Sequence, residues 1–183
     1  MADAHTTKQI LADEMKSLMA RKSFAKITVG ELCEACGMNR KSFYYHFLDK
    51  YDCVNWIFQN EFLDRISPKE YADRWDLMVD LCTYLDSERS FYREALTVTG
   101  QNSLREYLAQ NLQPRLVVSL SGVLKEEENK AFYSSFLADA FVAAVIRWIA
   151  EDHLPLPDFL ANMRSILLKW AHEVITDLEE DPT

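Results

Sequence analysis

Glycine and proline are scarce in this chain, with 4 and 5 among 183 residues. Sandwiches and barrels need such residues at every tight turn, so their shortage excludes a many-turned β architecture and favours long helices. Long apolar runs are missing too. The longest uncharged stretch covers only residues 95–104, well short of the roughly 18 apolar residues of a membrane span. The first thirty residues are interspersed with charge, which leaves no apolar core for a secretory leader. The expectation is a cytoplasmic chain that does not engage a membrane.

The chemistry of catalysis is also absent. No Ser/His/Asp order, glycine-rich phosphate loop or paired-carboxylate arrangement stands out, so neither an enzyme nor a cofactor is expected. The 4 cysteines (Cys33, Cys36, Cys53, Cys82) suit reduced thiols better than a disulfide framework. Cys33-Glu34-Ala35-Cys36 has C-x-x-C spacing, but both thiols fall within a helical stretch and no second pair follows. Small buried thiols are the reading here. His5, His46, His153 and His172 are dispersed without H-x-x-x-H spacing, so no metal site is expected.

What is present is ordinary globular composition, 49% hydrophobic and 27% charged, enough for one core or a small domain attached to a larger one. The net charge of −9 is distributed unevenly. Residues 1–56 hold 8 Lys and Arg against 7 Asp and Glu, a balance of +1, whereas the remainder holds 12 against 22, or −10. An acidic protein can still bind nucleic acid when its bases cluster locally, and the near-neutral N-terminus allows that.

Every periodic segment has the helical period, which predicts an all-α fold. A first helix over 7–22 carries Ile10, Leu11, Met15, Leu18 and Met19 as its apolar stripe. A connector follows, with Phe24 and Ile27 turned inward. Thr28-Val29-Gly30-Glu31 has capping-box form and opens a second helix. Gly37 ends that helix, and Asn39 caps a third over 40–47. A fourth covers 50–66, where Ser67-Pro68 interrupts it. Further helices fit 71–85, 91–99, 103–123, 128–152 and 158–179. Ser103 to Glu106 offers a second capping box, Pro114 is expected to kink or split its helix, and Leu154-Pro155-Leu156-Pro157 separates the last pair. The acidic residues 179–183 read as a frayed tail.

The most informative stretch is 27–56. Two short helices joined by a tight glycine-containing turn can set the second in a DNA major groove. Phe43 and Phe47, four apart, can anchor that helix, leaving Arg40, Lys41, Ser42, Tyr45 and His46 on its other face. Such donor-rich and aromatic side chains suit phosphate oxygens, guanine edges and thymine methyls. Lys50 stands where the next helix begins, and that helix's N–H groups add a further phosphate site.

Ile27-Thr28-Val29, Leu32, Cys36-Gly37 and Phe43-Tyr44-Tyr45-His46-Phe47-Leu48-Asp49-Lys50 together resemble the signature of the TetR (tetracycline repressor) family. The likeness covers roughly the first sixty residues. It implies that Thr28, Ser42, Tyr45, His46 and Lys50 contact phosphates, and that Arg40, Lys41 and Tyr44 address base edges. Cys33 and Cys36 stand where that family usually has small residues such as Ala. The stretches 39–52, Trp56-Ile57 and Gly100-Gln101-Asn102-Ser103 are similar to the branch that includes activators of dihydroxyacetone kinase operons.

Beyond residue 50 the expectations concern sensing and assembly. Trp75, Met78, Cys82, Phe91, Tyr92, Leu96 and Tyr107 form either a ligand pocket or plain core. In the helix over 128–152, Leu137, Phe141, Ala144 and Trp148 make one apolar stripe and Phe132, Phe136, Ala140 and Ala143 another. Leu160, Met163, Leu167, Trp170 and Val174 repeat at packing-seam spacing in the last helix. A homodimer with a four-helix interface is expected, its subunit contacts made by the first stripe and by that seam.

The expected organisation is a helix-turn-helix domain over 1–50 and a sensing and dimerisation domain over 51–183. The expected protein is a regulator that binds a palindromic operator and answers to a small molecule or a partner protein. The alternative from another class is an interaction module that keeps the helix-turn-helix as scaffold with weak DNA affinity.

Overall fold

A computed structural model describes residues 4–66, 75–121, 130–151 and 154–180. Among these the regular structure is helical: α1 (Ala4–Met19), a 3-10 turn (Phe24–Lys26), α2 (Val29–Ala35), α3 (Arg40–His46) and α4 (Lys50–Phe58). A π-helical turn (Gln59–Leu63) leads into α5 (Asp64–Ile66), followed by α6 (Asp76–Ser87), α7 (Arg89–Thr97), α8 (Leu104–Ser121), α9 (Lys130–Ala150) and α10 (Leu156–Glu180). The expected break at Ser67-Pro68, residues 71–74 of the expected fifth helix and the last three tail residues lie outside the described residues.

Internal contacts divide the chain into two units. The first comprises Met1–Tyr71 and Ser87–Tyr107, the second Ala72–Asp86 and Leu108–Thr183. The division expected from sequence, at residue 50, falls within the first unit, because α4 and α7 pack with the N-terminal helices.

In the first unit α1 buries Leu11, Ala12, Met15, Leu18 and Met19, while Ile10 of the expected stripe is exposed and Thr7 is buried. Leu32, Phe43, Phe47, Ile57, Phe58 and Tyr92 complete the core. Burying a side chain of this size contributes roughly 1.5–3 kcal/mol, and on α3 it is Phe43 and Phe47 that are buried in this way. Phe91 and Tyr92, both offered above as pocket residues, meet edge to face at 4.9 Å and are buried. Tyr107 donates its hydroxyl to Gln59 Oε1 at 2.6 Å. Asn55, buried on α4, donates through Nδ2 to the Asn102 carbonyl at 3.1 Å, pinning the turn that follows Gly100.

In the second unit α6 buries Leu77, Met78, Leu81, Cys82 and Leu85, with Trp75 half-buried ahead of it. The residues expected to share one pocket are thus divided: Trp75, Met78 and Cys82 in this unit, Phe91, Tyr92 and Tyr107 in the other.

Pro114 neither splits nor ends α8, which continues to Ser121. Its ring is exposed, so it forfeits one ladder bond without crowding a core. Arg115 donates to the Asn111 carbonyl at 2.5 Å one turn back.

Helix α9 decides between its two apolar stripes. Leu137, Phe141 and Trp148 are buried within the single chain and Ala144 is half-buried. Trp148 stacks on Phe159 with centroids 4.6 Å apart and donates through Nε1 to the Leu154 carbonyl at 2.7 Å. The second stripe is open: Phe132 is 68% and Phe136 58% exposed, with Ala140 and Ala143 exposed beside them. The stripe assigned to subunit contact is therefore intramolecular core, because Trp148 finds its ring partner and its carbonyl within its own chain. On α10, Leu160, Met163 and Leu167 are half-buried and Ile166 and Leu168 exposed, while the side chains of Trp170 and Val174 lie outside the described residues. By length and composition, residues 131–150 of α9 are apolar enough to cross a membrane. They carry Asp139 and Arg147, and one face lies in the core described above.

Candidate nucleic-acid interface

Three local devices shape the segment from Thr28 to Asp52. Thr28 caps α2, its Oγ1 accepting from the Glu31 N–H at 3.2 Å. The Glu31 carboxylate accepts from Lys22, and this hydrogen bond, with a further one from the Thr28 backbone, holds Glu31 below the usual carboxylate range. At the other end of α2, Gly37 has φ of +63°. The Met38 N–H donates to the Cys33 carbonyl at 2.8 Å and the Gly37 N–H to the Glu34 carbonyl at 3.1 Å. This is a Schellman closure, and only the left-handed glycine lets the chain turn back toward a new helix within three residues. Asn39 then caps α3 by accepting from the Ser42 N–H at 2.8 Å.

The recognition-type helix α3 is held by two rings and free on the other side. Phe43 and Phe47 are buried, with centroids 5.6 Å apart, and Phe47 meets Trp56 edge-on at 5.9 Å. Outward stand Arg40, Lys41, Tyr44 at 57% exposure and Tyr45 at 82%, with Ser42 and His46 half-buried. His46 meets the Tyr45 ring edge-on at 5.0 Å. Asn39, Lys41, Ser42, Tyr44 and Tyr45 line an open depression of about 540 Å³. Thr28 is exposed at the start of α2. The structure thus gathers seven of the eight residues named from sequence onto the two helix-turn-helix rods, with their donors accessible or partly so.

Lys50 is the exception. Its ammonium is turned inward and donates to the carbonyls of Phe24 at 2.8 Å, Ala25 at 3.3 Å and Ile27 at 2.9 Å, lying 4.4 Å from the Phe24 ring centroid. Burial lowers its pKa. The Phe24 carbonyl also accepts from the Ile27 N–H at 3.1 Å, and Lys50 brings a charged donor to all three carbonyls as the chain leaves the 3-10 turn. Its N-terminal side is held from α7, whose Glu94 Oε1 accepts from the Phe24 N–H at 2.7 Å. Lys16 of α1 reinforces the same packing, bridging Glu61 at 2.9 Å and Glu88 at 3.2 Å. Lys50→Met, which keeps the aliphatic stem but removes three donors, is expected to destabilise the first unit by about 1–3 kcal/mol. A thermal melt measures that, and the salt slope of DNA binding should stay as in wild type, since no phosphate contact is removed.

Two features of the site escaped sequence analysis. Leu48, directly after α3, is 84% exposed, an apolar group of the kind that can meet a thymine methyl. Asp49 caps α4, accepting from the Asp52 N–H at 2.8 Å, and Asp52 accepts in turn from the Leu48 N–H at 2.9 Å. The Asp-x-x-Asp spacing was the available signal for this reciprocal cap. The thiols of the C-x-x-C stretch are raised in pKa chiefly by burial, Cys36 to about 11. They stay protonated near neutral pH, a poor state for nucleophilic or metal-binding chemistry.

Two helices, a Schellman turn and an exposed donor-rich second helix define a helix-turn-helix module of the class that regulators use on DNA. Comparison with known proteins specifies it. Residues 13–56 match the family model described as bacterial regulatory proteins, tetR family, and residues 65–169 match one described as a transcriptional regulator C-terminal region. The chain belongs to the tetR family of bacterial transcriptional regulators. An HTH-type dhaKLM operon transcriptional activator, DhaS, of Lactococcus lactis is 28% identical over 130 residues, 69% of this chain, and the match spans 65% of that relative's length. Among solved structures, a dihydroxyacetone kinase operon activator, DhaS, is similar with a TM-score of 0.69 at 20% identity, covering 91% of this chain and 96% of that one. The fatty acid degradation regulator FadR of Bacillus halodurans gives 0.62 at 18% identity, covering 87% and 97%. NalD, a secondary repressor of a multidrug efflux pump in Pseudomonas aeruginosa, gives 0.62 at 14% identity, covering 91% and 97%.

Proposed function

We propose that this protein is a cytoplasmic homodimeric regulator that seats α3 in the major groove of a palindromic operator. The exposure of Arg40, Lys41, Tyr44 and Tyr45 on a helix anchored by Phe43 and Phe47 carries the reading. Arg40, Lys41 and Tyr44 address base edges, and Thr28, Ser42, Tyr45 and His46 hold phosphates. Lys50 acts one step back, by holding the connector beneath α2. The work is recognition rather than catalysis.

A single helix of this length meets few base pairs. Two of them, about 34–36 Å apart, meet successive major grooves, which is why a two-fold assembly suits the task. The open stripe of α9, Phe132, Phe136, Ala140 and Ala143, is the surface we assign to the second copy, with α10 contributing the other pair of a four-helix seam.

Control enters through the C-terminal region, as a small molecule or a partner protein. A signal that favours one spacing of the two α3 helices shifts the population toward or away from the DNA-bound form. Two contacts tie α7 and its N-cap residue to the N-terminal module: Glu94 on the connector and Glu88 on Lys16.

Arg40→Ala tests the base-reading role. Specific operator affinity is expected to fall by ~1–3 kcal/mol, the worth of a bidentate contact to guanine, with nonspecific binding changed much less. Fluorescence anisotropy on operator and scrambled duplexes, across a salt series, measures both. Equal operator affinity in mutant and wild type would remove Arg40 from the base-reading set.

A further inference from the structure

Each glycine of the described residues has a reason to be glycine, and one of those reasons concerns Arg40. Gly37 and Gly100 have φ of +63° and +119° and open space where a side chain would stand, so backbone conformation explains them. Gly30 differs. It lies in the first turn of α2 with ordinary helical backbone, where alanine would be favoured. A Cβ built on Gly30 would overlap Nη2 of Arg40 and stand 3.0 Å from its Nε and 3.1 Å from its Cζ. Three atoms of one guanidinium therefore lie across the bare Cα of Gly30. Among the described residues no hydrogen bond or ion pair holds that guanidinium, and the space left open by the missing side chain of Gly30 is what admits it there. The seat lies on the first helix of the motif and the arginine at the first position of the second, so the two rods jointly set where the guanidinium starts.

We infer that Gly30 is a positioning residue for base recognition: its missing side chain forms the seat from which Arg40 is presented to one base pair of each half-site. This inference rests on the DNA-reading role proposed above. It makes position 30 a determinant of sequence preference even though a glycine has no side chain to touch a base. Any side chain there would push the guanidinium toward a different path and weaken or move its preference.

The test is selection from a random-sequence duplex library by the full-length wild type, Gly30→Ala, Arg40→Ala and the double variant. Anisotropy on the winning duplex and a thermal melt of each protein accompany it. The melting temperature of Gly30→Ala should equal or exceed wild type, since alanine favours the helix. Its affinity for the wild-type sequence should fall about tenfold or more, with the altered base preference at the position where Arg40→Ala loses its own. In the Arg40→Ala background the same change should have no further effect. Gly30→Ser, which places a similar Cβ in the seat, should repeat the result if the alanine variant folds poorly.

Unaltered affinity and preference in Gly30→Ala would overturn the inference while leaving the DNA-reading function intact. An equal loss in both backgrounds would also overturn it, since the effect would not run through Arg40. Failure of wild type to enrich any sequence would overturn the DNA-reading function itself, and the seat with it.

Discussion

Phe136→Asp should convert the protein from dimer to monomer and reduce operator affinity by about 10²- to 10⁴-fold, the gain that a second linked contact ordinarily supplies. Phe136 is 58% exposed on α9, in a stripe with Phe132, Ala140 and Ala143. Its replacement therefore removes little from the chain's own core, and folding should be retained. A carboxylate in the middle of an apolar seam would be desolvated without a partner, which costs several kcal/mol and is doubled by two-fold symmetry. Sedimentation or light scattering gives the mass, and circular dichroism the fold. Binding to an isolated half-site should change little, because α3 is untouched. Phe141→Ala provides the contrast: Phe141 is buried within the chain, so its loss should lower stability first. A Phe136→Asp protein that remains dimeric would place the interface elsewhere.

Phe43→Ala should have the largest effect within the DNA-binding module. Phe43 is wholly buried beneath α3, against the rings of Phe47 and Tyr44. Truncating a buried phenylalanine costs about 3–5 kcal/mol through lost transfer energy and the cavity left behind. Domain stabilities are on the order of 5–15 kcal/mol, so the first unit would lose a large share of its reserve. A fall of its melting transition by on the order of 10 °C follows from the usual scaling. Sequence-specific DNA binding should weaken with it, since a released α3 must be ordered again on every encounter. Tyr45→Ala should do the reverse: its ring is 82% exposed, so the melt should hold while DNA affinity falls by about 0.5–1.5 kcal/mol, the worth of one neutral hydrogen bond, with the salt slope unchanged because a tyrosine hydroxyl displaces no counterion. If the two variants behaved alike, α3 would not have the anchored and free faces assigned to it.

Much of the helix-turn-helix was legible because its determinants are local. Thr28, Gly37 and Asn39 act on backbone groups within three or four residues of themselves, and Phe43 and Phe47 share a helix face by spacing alone. The same locality explains what was misjudged. Ile10 matches the period of the α1 stripe but falls at its edge, where no neighbour covers it. Pro114 was expected to kink or split its helix; α8 runs through it unsplit to Ser121, with the ring exposed. On α9 two stripes of equal apolar content differ only in what faces them. Trp148 with Phe159 and the Leu154 carbonyl on one side decides the matter, and no pattern within α9 contains that information. Lys50 was placed correctly in register but not in direction, since its three carbonyl partners come from a connector more than twenty residues earlier.

The amino-acid sequence alone determined the helical class, the caps and turn of the DNA-reading motif, and the side chains that motif offers, all consequences of interactions a few residues long. Tertiary structure alone decided which apolar stripe became core, which cation became an internal brace, that α7 grips the connector, and that a glycine on one helix seats an arginine on the next. Those outcomes depend on groups distant in sequence meeting at van der Waals or hydrogen-bond range. Only the folded chain specifies such encounters.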